Sequence, residues 1–243
     1  MKHLTIIILA LISVNLNAQT ADEILEKTDL NMSAENRIIE SSMTIHGKRN
    51  SRTMTSISYS VGDKQSFTEY LTPAREKGTK MLKLEDKLWI YSPSTDRTIQ
   101  ISGHMLRQSV MGSDFSYEDM MEDRELTDVY TATKVGEEEI DGRKTFVLEL
   151  VAKVDDVSYH SRKMWIDTEH FVPLKEELIA KSGQLLKRTS LSDVQEIQGR
   201  WFPMKMIYKD MLKSGKGTEL HITSIKFNQE IPEYIFTKAA LKQ

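Results

Sequence analysis

The residues best able to do chemistry are thinly spread in this 243-residue chain. His46, His104, His160, His170 and His221 show no H-E-x-x-H or similar metal spacing. Ser109, Ser113 and Ser116 lack the elbow motif that exposes a serine nucleophile. No glycine-rich phosphate loop is present. Acidic runs such as Glu118-Asp119 and Glu137-Glu138-Glu139 read as solvated surface, and Glu169-His170 reads as a solvated pair at a turn. The chain has no cysteine, which removes disulfides, thiolate metal sites and thiol catalysis. The expectation is therefore a protein that is not an enzyme, with no catalytic residue, metal or cofactor. A formal net charge of −3 and scattered basic residues give no basis for nucleic-acid binding.

What remains is apolar chemistry. Ile57 and Tyr59 alternate with serines over Thr53–Val61, a half-buried strand. If Asp86-Lys87 forms a two-residue turn, Leu84 faces Trp89 and Leu82 faces Tyr91. Across the Pro93–Arg97 loop, Trp89 would then face Ile101 and Tyr91 would face Ile99. One face of three strands becomes apolar and aromatic, and a one-residue slip would spoil it. With Asp155-Asp156 as another turn, Glu149 faces Arg162, Phe146 faces Trp165 and Val147 faces Met164. Several strands look apolar on both faces: Leu88 and Ile90 lie behind Trp89 and Tyr91, and Val147 lies behind Phe146 and Leu148. A sheet with one wet face does not need this, so helices or an apolar ligand should cover the second face. Ile57, Tyr59, Leu82, Leu84, Trp89, Tyr91, Ile99 and Ile101 are the candidate cavity residues; plain barrel core is the competing reading. The segment Gly103–Arg124 holds Met105, Met111, Met120 and Met121, with Phe115. Methionine adapts to varied apolar partners. Met105, Met111 and Phe115 are candidates for a movable lid, against a static plug in which Ser113 or Ser116 caps a short helix through Met121.

The elements that must position these residues begin after an export signal. Met1-Lys2-His3 is a short basic start, Leu4–Leu16 is an apolar run, and Ala18 precedes Gln19. These are the marks of a signal peptide over residues 1–18. The run is shorter than the ~20 residues of a membrane span, and no later stretch is long and apolar enough for one. Residues 19–243 are expected to form one soluble domain, exported and without a lipid of its own, since a lipoprotein needs a cysteine. Thr20 and Glu23 form a capping box opening an amphipathic helix whose Ala21, Ile24, Leu25, Thr28 and Met32 share one face. Strand-period segments follow from Thr53 to Phe227, joined by short turns that imply antiparallel neighbours. Pro232 stops the last strand, and a short turn or helix packs its Phe and Leu back onto the body.

Taken in order, these pieces resemble the LolA-like outer-membrane lipoprotein-sorting proteins. The carrying features are the helix Ala21–Met32 directly after the signal, the segment Leu88-Trp89-Ile90-Tyr91-Ser92-Pro93, Met164-Trp165-Ile166-Asp167 with Pro173-Leu174-Lys175, and the closing Ile231-Pro232 to Phe236. The segment Met105–Met121, with its G-S-D-F-S-Y-E-D core, points to a less characterised branch. The resemblance implies a mainly β (α+β) fold: a single curved antiparallel sheet forming an unclosed β-barrel of about eleven strands, with helices packed in its concave face. It implies a monomer in the periplasm of a Gram-negative bacterium that carries lipoprotein acyl chains toward the outer membrane. Partners would be an inner-membrane release complex and an outer-membrane acceptor. It also implies an arginine that controls cavity opening, for which Arg37 and Arg49 are candidates. Two other readings stand beside it. One is a carrier of free lipid or glycolipid working with an inner-membrane exporter; the other is a chaperone that binds apolar client segments through an exposed strand edge.

Overall fold

The computed structural model describes residues 19–47 and 50–243. The signal segment and Arg49 lie outside the described residues. Helix α1 (Ala21–Met32) opens on the expected capping box. The Thr20 hydroxyl accepts from the Glu23 N–H at 3.2 Å, and the Glu23 carboxylate accepts from the Thr20 N–H at 3.0 Å. Its buried face carries Ile24, Leu25 and Thr28, as its periodicity predicts, and also Asp29, which periodicity does not.

Thirteen strands follow: β1 (Asn36–His46), β2 (Ser51–Val61), β3 (Gln65–Thr72), β4 (Lys80–Leu84), β5 (Lys87–Ser92), β6 (Arg97–Ile101), β7 (Tyr130–Ile140), β8 (Arg143–Ala152), β9 (Ser161–Asp167), β10 (Pro173–Ile179), β11 (Leu185–Ile197), β12 (Arg200–Asp210) and β13 (Thr218–Phe227). They form one antiparallel sheet in the order β6-β5-β4-β3-β2-β1-β13-β12-β11-β10-β9-β8-β7. Its edge strands are β6 and β7, so the sheet curves without closing into a barrel. The strand count exceeds the expected eleven. Strand-period segments in the sequence cover every strand but β1, where Glu40, Ser41, Ser42 and Thr44 dilute the alternation. Pairing on both sides, with β2 and β13, holds it in the sheet despite that composition.

Three expected registers are corrected. The β4–β5 turn is Glu85-Asp86, with Glu85 in the left-handed region, so Leu82 faces Trp89 and Leu84 faces Lys87. That shift is by two residues and preserves the faces. The β5–β6 loop is one residue shorter than expected, because Asp96 takes a positive φ and closes it as Pro93–Asp96. Trp89 therefore faces Gln100, while Ile99 and Ile101 face Ile90 and Leu88 on the other side of the sheet. The β8–β9 connection is likewise no two-residue turn. Its Tyr159 turns inward, accepts a 2.9 Å hydrogen bond from the Tyr130 hydroxyl on its carbonyl, and lengthens the loop. Phe146 then faces Ile166, Leu148 faces Met164, Val147 faces Trp165 and Glu149 faces Lys163.

Both faces of the sheet are covered, as the two-sided apolar strands require. On the concave face, α1 packs Ile24 and Leu25 on Leu148, Met164 and Ile166. The segment 102–121 crosses the same face. Val110 and Phe115 bury themselves among Met43, Met54, Tyr70, Met81, Leu88, Ile101 and Tyr208, residues from strands far apart in the sheet order. That convergence is what makes this face the concave one. On the convex face of β3–β5, the chain's own C-terminal segment is the cover. Two 3₁₀ turns, Glu233–Phe236 and Ala240–Lys242, seat Phe236 and Leu241 against Phe67, Leu82 and Trp89. Lys238 Nζ lies 4.2 Å from the centre of the Trp89 ring.

Candidate functional site

A cavity of about 480 Å³ opens on the concave face, within the range of about 300–1,000 Å³ that small-molecule sites occupy. The last turn of α1 and the start of β1 form one wall with Thr28, Met32, Ser33, Ala34 and Arg37. The segment 122–128, which runs into helix α2 (Leu126–Val129), forms another. The floor is Met164, Pro173, Leu191 and Met206, with Arg162 and Glu176 among them. The floor follows from the pleat: Met164 and Glu176 are opposite partners on β9 and β10, and Leu191 and Met206 on β11 and β12.

Polar groups ring the mouth. Arg37 donates to the Met32 carbonyl at 3.3 Å and lies 3.7 Å from Asp123. It thus ties the end of α1 to the opposite wall. Lys83, almost fully buried, reaches Asp123 at 2.9 Å and the Met121 carbonyl at 2.7 Å. Asp29 accepts from the Leu126 and Thr127 N–H groups at 3.1 and 2.9 Å, so a residue of α1 supplies the cap of α2. Burial raises the Asp29 carboxyl above its ordinary range, against the pull of those bonds. Burial raises Glu176 too, although Arg162 opposes it. Burial works against the Arg162 guanidinium, but Glu176 and Tyr130 outweigh it and hold its proton more tightly. Beside the cavity lies a shallower groove between the Asp63–Lys64 and Glu85–Asp86 turns and the loop Asp155–Ser158, charged for most of its length.

The structure divides the candidate cavity residues between two faces. Ile57, Tyr59, Leu82, Leu84, Trp89 and Tyr91 share the convex side; all but Ile57 belong to the cluster sealed by the C-terminal segment. Leu82 is fully buried there. Ile101 lies on the concave face in the same cluster as Met105, Met111 and Phe115. Ile99 shares that face at the β6 edge and is half exposed. The one-residue slip at Asp96 is the physical reason for the split.

The lid candidates do meet. Phe115 stacks on Tyr208 with ring centres 4.2 Å apart. The expected helix through Met121 is absent: after 3₁₀ turns at Gly103–Arg107 and Val110–Gly112, Ser116 caps only a single turn over 117–121 by exchanging bonds with Asp119. A buried polar clasp holds the segment. Asp114 accepts from the Asp210 N–H and the Thr218 hydroxyl, both at 2.9 Å, and its carbonyl accepts from Lys187 at 2.8 Å. Lys187 also pairs with Asp210 at 3.0 Å. The Asp29 and Asp114 interactions escaped the sequence reading, since their partners lie about a hundred residues away. The G-S-D-F run around Asp114 was the one available signal.

Two buried carboxylates give the fold an acid sensitivity of definite sign. Burial alone would raise Asp167 and Asp210. Arg143, at 2.7 Å, with the His170 and Glu169 N–H groups, outweighs it for Asp167; Lys187 and the Leu212 N–H do so for Asp210. Both carboxyls sit below the ordinary value of about 3.9. Their stabilisation is fully present above that value and is lost as pH falls through the lowered folded values. Urea midpoints measured from pH 7 to pH 3 are expected to fall less on the acid side in Asp167→Asn than in the wild-type protein, since only the wild type loses this carboxylate's contribution.

Among the described residues no group of three or more His, Asp or Glu side chains is placed to hold a metal ion. His170 is no solvated pair partner: its ring stacks on Trp201 at 3.7 Å. No helix among the described residues is long and apolar enough to cross a membrane.

Comparison with known proteins agrees with this architecture. The model of a family described as "Uncharacterized protein" matches residues 62–243. Comparison with curated proteins gives no match. A LolA superfamily protein from Nitrosomonas europaea is 28% identical, with a TM-score of 0.76 over 92% of this chain and 100% of its own. A domain from Vibrio parahaemolyticus described as outer membrane lipoprotein-sorting is 24% identical, with a TM-score of 0.78 over 92% and 98%. A DUF1329 family protein from Desulfovibrio piger is 23% identical, with a TM-score of 0.81 over 91% and 97%. The chain therefore belongs to the family whose model it matches, and its fold is the LolA-like one.

Proposed function

We propose that this protein is an exported periplasmic carrier that shields acyl chains of lipoproteins in its concave-face cavity and delivers them toward the outer membrane. The observation that carries this reading is the methionine- and leucine-floored cavity between sheet and helix, closed on one side by α1 and roofed nearby by the segment 102–121. At ~0.8 kcal/mol per buried CH₂, a chain of about sixteen carbons gains on the order of 10 kcal/mol by leaving water. Floor methionines adapt to its shape. Met105, Met111 and Phe115 form the lid in this reading, packed on Ile101 of β6, and Arg37 is the latch on α1. Residues 1–18 would be removed on export, and no cofactor or bond-making step is required. Loading and unloading would fall to an inner-membrane release complex and an outer-membrane acceptor.

The charged mouth favours a second cargo, a free lipid or glycolipid whose polar head would rest among Arg37, Asp123 and Glu122. Organic extraction of the mature protein purified from its native periplasm, followed by mass spectrometry, tests both. Triacylated lipoprotein supports the first cargo and free lipid the second. An empty protein that also fails to take up a fluorescent fatty acid overturns the carrier reading.

A further inference from the structure

Antiparallel pairing throughout sends the connections alternately to the two ends of the sheet, and the two ends differ in charge. The end nearer the cavity mouth carries Asp63, Glu85, Asp86, Asp141 and Glu169 in its turns, with Lys64 as their basic companion. The loop with Asp155 and Asp156 starts from the far end but folds back over this acidic one, lining the groove beside Asp63 and Glu85.

The far end is basic. Its β3–β4, β10–β11 and β12–β13 connections carry Arg75, Lys77, Lys181 and Lys216, all exposed. Of the acids there, Glu76 pairs with Arg52 at 3.5 Å and with Arg75 at 3.8 Å, and Asp96 pairs with Lys242. At the tip of β12–β13 stand Leu212, 66% exposed, and Met211, with Ile207 exposed on the convex face just behind them.

This exposure is built and not frayed. The Leu212 N–H donates to Asp210 at 3.0 Å, and the Met211 N–H to the Leu186 carbonyl at 2.8 Å. Lys213 donates to Ser109 Oγ at 2.6 Å and to the Ser113 carbonyl at 3.0 Å. Gly215 and Gly217 both take positive φ, and a Cβ on Gly217 would meet the Tyr208 carbonyl oxygen at 2.8 Å. Two backbone bonds and two from the Lys213 side chain fasten the loop, while the leucine side chain is held outward.

We propose that this end is a docking surface for an anionic lipid membrane. Lys181 and Lys216, with Arg75 and Lys77, meet the headgroups, and Leu212 and Met211 enter the interface between them. Basic side chains beside exposed apolar ones are the combination an anionic bilayer surface binds. The acidic end, with the cavity mouth near it, then faces away from the bilayer. The proposal does not depend on what the cavity holds.

Co-sedimentation of the mature protein with vesicles tests it. Vesicles of phosphatidylethanolamine and phosphatidylglycerol should retain the protein at low salt, and phosphatidylcholine vesicles should not. Leu212→Asp and the double variant Lys181→Glu/Lys216→Glu should each weaken retention about tenfold or more, and the double variant should show a shallower salt dependence. Both changes sit on exposed positions, and an unchanged urea midpoint verifies that each variant is folded. Absence of retention on anionic vesicles, or retention unchanged in Leu212→Asp, overturns the proposal. Retention on a polyglutamate resin with none on vesicles assigns the end to an acidic protein and also overturns it. Fatty-acid uptake, read separately, reports on the cavity alone.

Discussion

Met206→Glu is expected to abolish lipid uptake while leaving the protein folded. Met206 sits on the cavity floor opposite Leu191 and is partly accessible through the cavity. In the empty protein a carboxylate there is wetted, so the fold tolerates it. When an acyl chain enters, the same carboxylate loses that water to methylene groups. Stripping a polar group without a replacement partner costs about 2–7 kcal/mol. Even about 3 kcal/mol would lower affinity on the order of 100-fold. Titration with a fluorescent fatty acid measures the loss, and a urea midpoint close to wild type shows that the fold survives. Met206→Leu, which keeps apolar volume, is expected to retain uptake. Equal loss in both variants would indicate that Met206 acts through packing, and full uptake by the glutamate variant would remove the cavity from the binding pathway.

Lys187→Met is expected to be the most destabilising single change in the clasp. Lys187 neutralises Asp210 at 3.0 Å in a nearly buried site and also holds the Asp114 carbonyl. Removing it leaves a buried carboxylate with the Leu212 N–H and a more distant Lys213, 3.5 Å away, as its main partners. Loss of one partner of a buried pair costs about 3–5 kcal/mol, and Lys213 places the expected value near the lower bound of about 3 kcal/mol. Urea unfolding at pH 7 measures it. The double variant Lys187→Met/Asp210→Leu is expected to recover part of the loss, because both charges are then gone. If Lys187→Met unfolds at the wild-type midpoint, the clasp contributes nothing to stability.

The parts of the structure legible in the chain were those governed by local rules. The Thr20/Glu23 capping box, the apolar face of α1 and the alternation of most strands depend on residues within a few positions of one another. Two-sided burial was also legible: Leu88 behind Trp89 called for a second cover, and the C-terminal segment supplies it. What failed turned on single turn residues. A left-handed Asp96 shortened one loop, and its slip moved Ile99 and Ile101 away from Trp89. The candidate cavity was assembled on that register, so most of its members proved to be convex-side core. The floor that does line the cavity, Met164, Glu176, Leu191 and Met206, comes from four strands. No local pattern couples those positions, and only the curvature of the whole sheet brings them under α1.

The place of β1 has a kinetic consequence. This strand lies between β2, its neighbour in the chain, and β13, where Ile45 pairs with Thr218. A chain emerging from its N-terminus presents β1 long before that second partner exists. One side of β1 stays without its ladder until nearly the whole polypeptide has appeared. Closing so long a loop is entropically slow, and folding dominated by such distant pairings belongs to the slow end of the two-state range. The topology therefore delays completion of the sheet to the last moments of chain delivery.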